Sequence, residues 1–136
     1  MADAPSVPIS KHMTLAPAPD SVQREQFVGL VWGMLGNDRY GDCTFAGYVH
    51  VVMAIAALLG ITISVPTAQA VVRAYLAFTH GVDSGAVETS VLSLGYRSGI
   101  CGLELAGYAT GDGGLEQMLQ VTNTFGAAYL GVALTA

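Results

Sequence analysis

A polar loop, Gly36-Asn37-Asp38-Arg39-Tyr40-Gly41-Asp42, running straight into the apolar stretch Cys43–Leu59, limits what this chain can fold into more than any other feature. The loop is too rich in Gly, Asn and Asp to be helical. The stretch after it has no breaker except Gly47, and its small and aliphatic residues are those of a helix buried on most sides. Cys43 is therefore expected in the first turn of a core helix. Unpaired backbone N–H groups and the positive end of the helix dipole favour a thiolate in such a place. Asn37, six residues earlier, is placed to turn an amide N–H toward an oxyanion forming beside the sulfur. Asp42 works against this, because a neighbouring carboxylate disfavours a second negative charge. The alternative reading of Cys43 is a small buried apolar residue with no chemistry.

Residues 32–50, W-G-M-L-G-N-D-R-Y-G-D-C-T-F-A-G-Y-V-H, resemble the start of the papain-like cysteine-hydrolase fold. They are similar to a block found in little-characterised papain-like proteins of actinobacteria and their phages. A looser similarity continues through residues 83–85, 91–100 and 125–134. The resemblance implies an α+β fold: a central buried helix with the cysteine at its N-terminus, packed with other helices against a small, incomplete sheet. It also implies that Cys43 is the nucleophile and Asn37 the oxyanion contact. The family's general-base histidine comes from a strand well downstream, which would only begin where this chain stops at Ala136. No residue here is expected to fill the base position.

With 136 residues, the chain is expected to form an extended Pro-rich arm, 1–21, and a single partial papain-like domain, 22–136. Its residues are 52% hydrophobic and only 11% charged, a greasy balance that points to surface hidden against protein partners, in an oligomer or a larger assembly. The net charge of −5, with five Lys and Arg scattered along the chain, argues against nucleic-acid binding. Cys43 and Cys101 lie far apart and outside any CxxC spacing, so free thiols are expected. His12, His50 and His80 never sit at ligand spacing from a Cys, Asp or Glu; neither a metal nor a cofactor is expected. Met1–Asp20 lacks the basic start and apolar core of a secretion signal, which leaves a cytoplasmic or particle-borne location. Cys43–Leu59 is at the short limit for a bilayer span, contains Gly47 and His50, and has no flanking Lys/Arg cluster; membrane insertion is not expected.

Along the chain, the arm holds four of the five prolines, with Ile9, Met13 and Leu15 able to lie along a neighbour, and Lys11 and His12 solvated. Val22–Leu35 is ambiguous between helix and strand. Its Trp32 is either a plug beneath the Cys43 loop or a substrate contact. His50 lies on the face of Cys43 but about 10 Å further along the axis, too far for an ion pair, and reads as a ring with one hydrogen bond. Gly60 should end the helix, and Ile61–Val65 is a short strand or an extended connector. Thr67 should cap a second helix, Ala68–Thr79, stopped by His80-Gly81. A third helix is expected over Gly85–Tyr96, a strand over Ile100–Tyr108 with Cys101 turned to the core, a fourth helix over Leu115–Thr124, and a central strand over Ala127–Leu134 with one bare edge. Gly111-Asp112-Gly113-Gly114 lacks the sequel of a phosphate loop.

These readings favour a non-catalytic structural or interaction protein, one concrete version being an accessory component of a phage particle that binds neighbouring subunits. The alternative is a cysteine peptidase or amidase using Cys43 and Asn37, with its histidine supplied by a partner chain or by residues beyond Ala136. A peptide-binding module using Asn37 and Trp32 without thiol chemistry is a third possibility.

Overall fold

The computed structural model describes residues 7–11 and 13–132. Its centre is α1, Cys43–Leu59, with the bounds the sequence predicts. The carbonyl of Asp42 starts the helix by accepting from the N–H groups of Phe45 (2.8 Å) and Ala46 (3.0 Å). Phe45, Ala46, Tyr48, Val49, Met53, Ala54 and Ala56 are buried. Gly60 closes the helix in the left-handed conformation (φ 67°), and Ile61 N–H reaches back to Ala56 O at 2.8 Å, the bond of a Schellman stop.

Two helices pack on α1. Helix α2, Ala68–Phe78, is capped by Thr67, whose hydroxyl accepts from Ala70 N–H at 3.2 Å; its buried Val71 and Tyr75, one turn apart, face α1, with Tyr75 edge-on to Phe45 at 5.7 Å. Its C-terminal stop uses His80 in the left-handed region (φ 56°), with Gly81 N–H on Leu76 O at 2.7 Å. Helix α3, Glu88–Arg97, starts a turn later than predicted and buries Val91, Ser93 and Gly95. Gly95 lies under the Tyr48 ring, whose hydroxyl donates to Leu103 O at 2.8 Å. Helix α4, Leu115–Phe125, has no buried residue and sits at the periphery. Gly126 at its end abuts Leu58 of α1, and Arg24 Nη2 donates to its last carbonyls, Thr122 O (3.4 Å) and Asn123 O (3.3 Å).

The expected α+β fold with a papain-like incomplete sheet is overturned: the described residues form a small helical protein with four α-helices and no sheet. Backbone pairing outside the helices is confined to two isolated bridges, Pro8 with Thr110 and Ile100 with Leu103. A strand needs a neighbouring strand to satisfy its backbone, and none of the predicted strands has one. Residues 61–65 form the connector rather than the strand. In place of the strand at 100–108 the chain doubles back: Cys101 (φ 52°) and Gly102 (φ 78°) are both left-handed, and Ile100 and Leu103 exchange bonds of 2.8 and 2.9 Å across a type I′ turn. Residues 127–132 are irregular and, among the described residues, make no backbone–backbone hydrogen bond, so the described part of the expected central strand is not a strand; the rest of that prediction falls on residues 133–134, outside the described residues.

Val22–Leu35 is neither a helix nor a strand but a single 3-10 turn, Glu25–Phe27, within irregular chain. The N-terminal arm is held by its own chain: Ile9 N–H bonds Thr110 O and Thr110 N–H bonds Val7 O, each at 3.0 Å, and Ile9 is buried. Lys11 is exposed, and His12 lies outside the described residues. No helix among the described residues is long and apolar enough to cross a membrane.

Candidate functional site

The loop ahead of α1 is closed from two sides. Inside it, Gly36 O accepts from Arg39 N–H (2.9 Å) and Tyr40 N–H (3.0 Å). From outside, Asp83 Oδ1 accepts from Gly41 N–H at 2.8 Å and from the Tyr75 hydroxyl at 2.7 Å, while Gly85 N–H donates to the Tyr75 oxygen at 2.8 Å. The Tyr75 bond first and the Gly41 bond second hold the Asp83 carboxyl below the usual carboxylate range. Burial, and then the bond it gives Asp83, push the Tyr75 phenol up. Leu35 anchors the loop's entry: it is buried although its φ of 54° lies in the left-handed region, which costs a branched side chain about 1–2 kcal/mol.

Cys43 is the first residue of α1 and is exposed. Asn37 is exposed too; its N–H donates to Met34 O at 3.0 Å, and its side chain makes no hydrogen bond among the described residues. The structure thus brings the two onto one loop-and-helix junction without a bond between them.

Imidazoles are elsewhere. His50 Nε2 lies 2.7 Å from Trp32 O and 3.1 Å from Gly33 O; because both partners are carbonyls, this nitrogen carries the proton. Trp32 stands edge-on to His50 (5.6 Å) and to Phe27 (5.9 Å), so the tryptophan is a packing residue and the histidine braces its backbone. His80 is exposed at the end of α2 and hydrogen-bonds to nothing among the described residues. No described histidine is bonded to Cys43.

Comparison of the chain with family models, curated proteins and solved structures found no match. Its chemistry is therefore read from its own residues.

Two further residues matter here: Asp42, which the sequence marks only as a charge beside Cys43, and Tyr129, which it does not single out. Asp42 is fully buried, donates no cap to its helix, and neither carboxylate oxygen has a hydrogen-bond partner. Burial pushes its carboxyl above the usual range; its own backbone N–H opposes this, and the Asp83 and Asp38 charges add to the rise. Tyr129 lies across Gly47, donates its hydroxyl to Thr44 O, and faces the start of α1 close enough to feel Cys43; burial raises its phenol far above the ordinary range. It also lines a shallow groove of about 490 Å³ with Glu88, Thr89, Leu92, Thr110 and Val132. The lone breaker Gly47 was the signal for Tyr129, since a glycine inside a helix marks close approach of another group. No sequence signal marks Asp42 as buried.

Cys101, the other free thiol, is the first central residue of the I′ turn rather than part of a strand; it is half-buried, and burial pushes its thiol up. Among the described residues no three His, Cys, Asp or Glu side chains converge to hold a metal ion.

Proposed function

We propose that this chain is a non-catalytic interaction protein that assembles with other protein subunits. The observation that carries this is the segment just before the loop. Val28 and Val31 are each 84% exposed and Met34 is 56% exposed, while Phe27, Trp32 and His50 hold the backbone between them in place. These apolar side chains cannot turn inward without breaking the brace, and a fixed apolar patch on a chain with few charges favours association. The resemblance of residues 32–50 supplies one concrete setting, an accessory component of a phage particle. Sedimentation velocity tests the reading: the wild-type chain should self-associate or co-sediment with neighbouring subunits, and Val28→Asp with Val31→Asp should abolish this. A wild-type monomer at every concentration, alone and with its particle, would refute it.

A second reading, a cysteine peptidase or amidase, draws on the exposure of Cys43 at the head of a 17-residue helix. Its base would come from another chain, since His50 is committed to Trp32 and Gly33. Iodoacetamide labelling at neutral pH separates the two: Cys43 reacting no faster than a free thiol of the same exposure rules out an activated nucleophile.

A further inference from the structure

We propose that Asp42 is a pH-operated latch: its carboxyl, sealed beneath the Gly36–Asp42 loop, keeps the loop and the first turn of α1 closed while protonated and releases both on losing its proton. This inference is independent of the assembly reading.

The geometry makes Asp42 a poor place for a charge. The residue is 0% exposed, and neither Oδ1 nor Oδ2 has a hydrogen-bond partner. Gly36 and Val72 close over it: a Cβ added to Gly36 would meet Asp42 Oδ2 at 2.8 Å and would collide with Val72 Cγ2. The groups facing it are Asp38 from the loop, Asp83 from the segment after α2, and Tyr75 from α2, whose hydroxyl is already given to Asp83. Arg39, the loop's cation, is solvent-exposed and points to Asp38, with Nε 3.6 Å from Oδ2. A buried carboxylate with no cation beside it and no donor but its own backbone N–H is disfavoured, so the closed arrangement favours the protonated acid.

Its neighbour favours the opposite state. Asp83 accepts two hydrogen bonds through Oδ1, and both are stronger when it is a carboxylate. The two acids therefore hold one proton between them, on Asp42, each set by its own surroundings.

Release follows from where Asp42 sits in the chain. Its carbonyl takes the first two bonds of α1, so the side chain cannot reach water without disturbing Phe45 and Ala46 N–H and hence the turn carrying Cys43. The loop is the part that yields, being held from outside by the Gly41–Asp83 bond and entered through strained Leu35. The sign is fixed by linkage. For Asp42 the closed-state pKa is raised, so its contribution to closure is full below the ordinary carboxylate pKa and lost as pH rises through the raised value. For Asp83 the pKa is lowered, so its contribution is full above the ordinary value and lost as pH falls through the lowered one. Closure is greatest between the two.

Carboxyl carbon-13 and amide NMR on the full chain, titrated from about pH 3 to about pH 8, tests this. In the wild type, the Asp42 carboxyl should titrate above the ordinary carboxylate range. Gly41, Phe45 and Ala46 amides should shift with the same midpoint and lose exchange protection above it. Asp42→Asn should keep these amides protected across that range, and Asp38→Asn, at an exposed site, should lower the midpoint by a few tenths of a pH unit. An Asp42 carboxyl that titrates at or below the ordinary value, or amides that titrate identically in Asp42→Asn, would overturn the proposal. If Asp42→Asn does not fold, the wild-type carboxyl titration alone decides.

Discussion

Helices α1 and α3 meet closely where Gly95 lies under Tyr48, and Gly95→Ala tests that contact. A Cβ on Gly95 would stand 2.5 Å from both Cζ and the hydroxyl oxygen of Tyr48, and nearer still to Cε2. Relaxing 2.5 Å to the roughly 3.5 Å of ordinary contact requires a shift of about 1 Å. The ring cannot give way, because it is 1% exposed and its hydroxyl is bonded to Leu103 O at 2.8 Å. Overpacking against a ring that cannot give way falls in the upper part of the usual range, about 2–3 kcal/mol, while alanine gains about 1 kcal/mol over glycine inside a helix. The expected net result is a loss of about 1–2 kcal/mol, read from urea denaturation. Tyr48→Leu removes the obstructing ring, so the alanine should be tolerated better in that background, with a coupling of about 1 kcal/mol or more. Gly107→Ala, with nothing within 4 Å of the added carbon, serves as control and should stay within about 0.5 kcal/mol. A neutral or stabilising Gly95→Ala would show that the two helices do not cross at this point.

The same substitution at Gly47 should have a different outcome. Its added Cβ would meet Tyr129 Cε2 at 2.5 Å, but residues 127–132 make no backbone hydrogen bond among the described residues, so the ring can shift at the expense of its bond to Thr44 O, and Gly47→Ala should cost less than Gly95→Ala, within about 1 kcal/mol, while loosening the Tyr129 ring in NMR spectra. Thr67→Ala, which removes the hydroxyl accepting Ala70 N–H, should cost about 1 kcal/mol in thermal or urea unfolding. Stability should fall in acid as pH drops through the lowered Asp83 pKa, and Asp83→Asn should flatten that limb of the profile; an unchanged acid limb would mean that Asp83 does not hold the loop. Cys43 should be alkylated before Cys101, whose thiol is half-buried and pushed up by burial, in a mass-spectrometric time course.

The helices were legible because their signals are local. The Gly-rich loop, Gly60 and Thr67 set the ends of α1 and the start of α2 through backbone conformations and caps that act within a few residues. The strands were not, because alternation shows only that a segment has two faces, not that a partner exists. At 100–108 the alternation of Cys101, Leu103 and Leu105 is real, but left-handed Cys101 and Gly102 fold the segment into a turn that sets Ile100 and Leu103 into the core beside Tyr48. A cysteine is not an expected residue at φ 52°, so the sequence gives no warning of this turn.

The candidate site divides along the same line. Reading by residue type marks Cys43 and Asn37 as chemistry, yet the groups with exacting geometry are Asp83, Tyr75, Asp42 and His50, and each of these acts on the backbone around the loop. Asp83 and Tyr75 hold Gly41 and Gly85, His50 holds Trp32 and Gly33, and Asp42 starts α1. Catalysis by Cys43 would need a base oriented by a third group, and His50, the histidine of its own helix, is bonded to the Trp32 and Gly33 carbonyls instead. The same His50 bonds and the Phe27–Trp32 ring contact hold the backbone between the exposed Val28, Val31 and Met34; on the assembly reading proposed above, an interface there would form with less loss of freedom because its apolar anchors are already held.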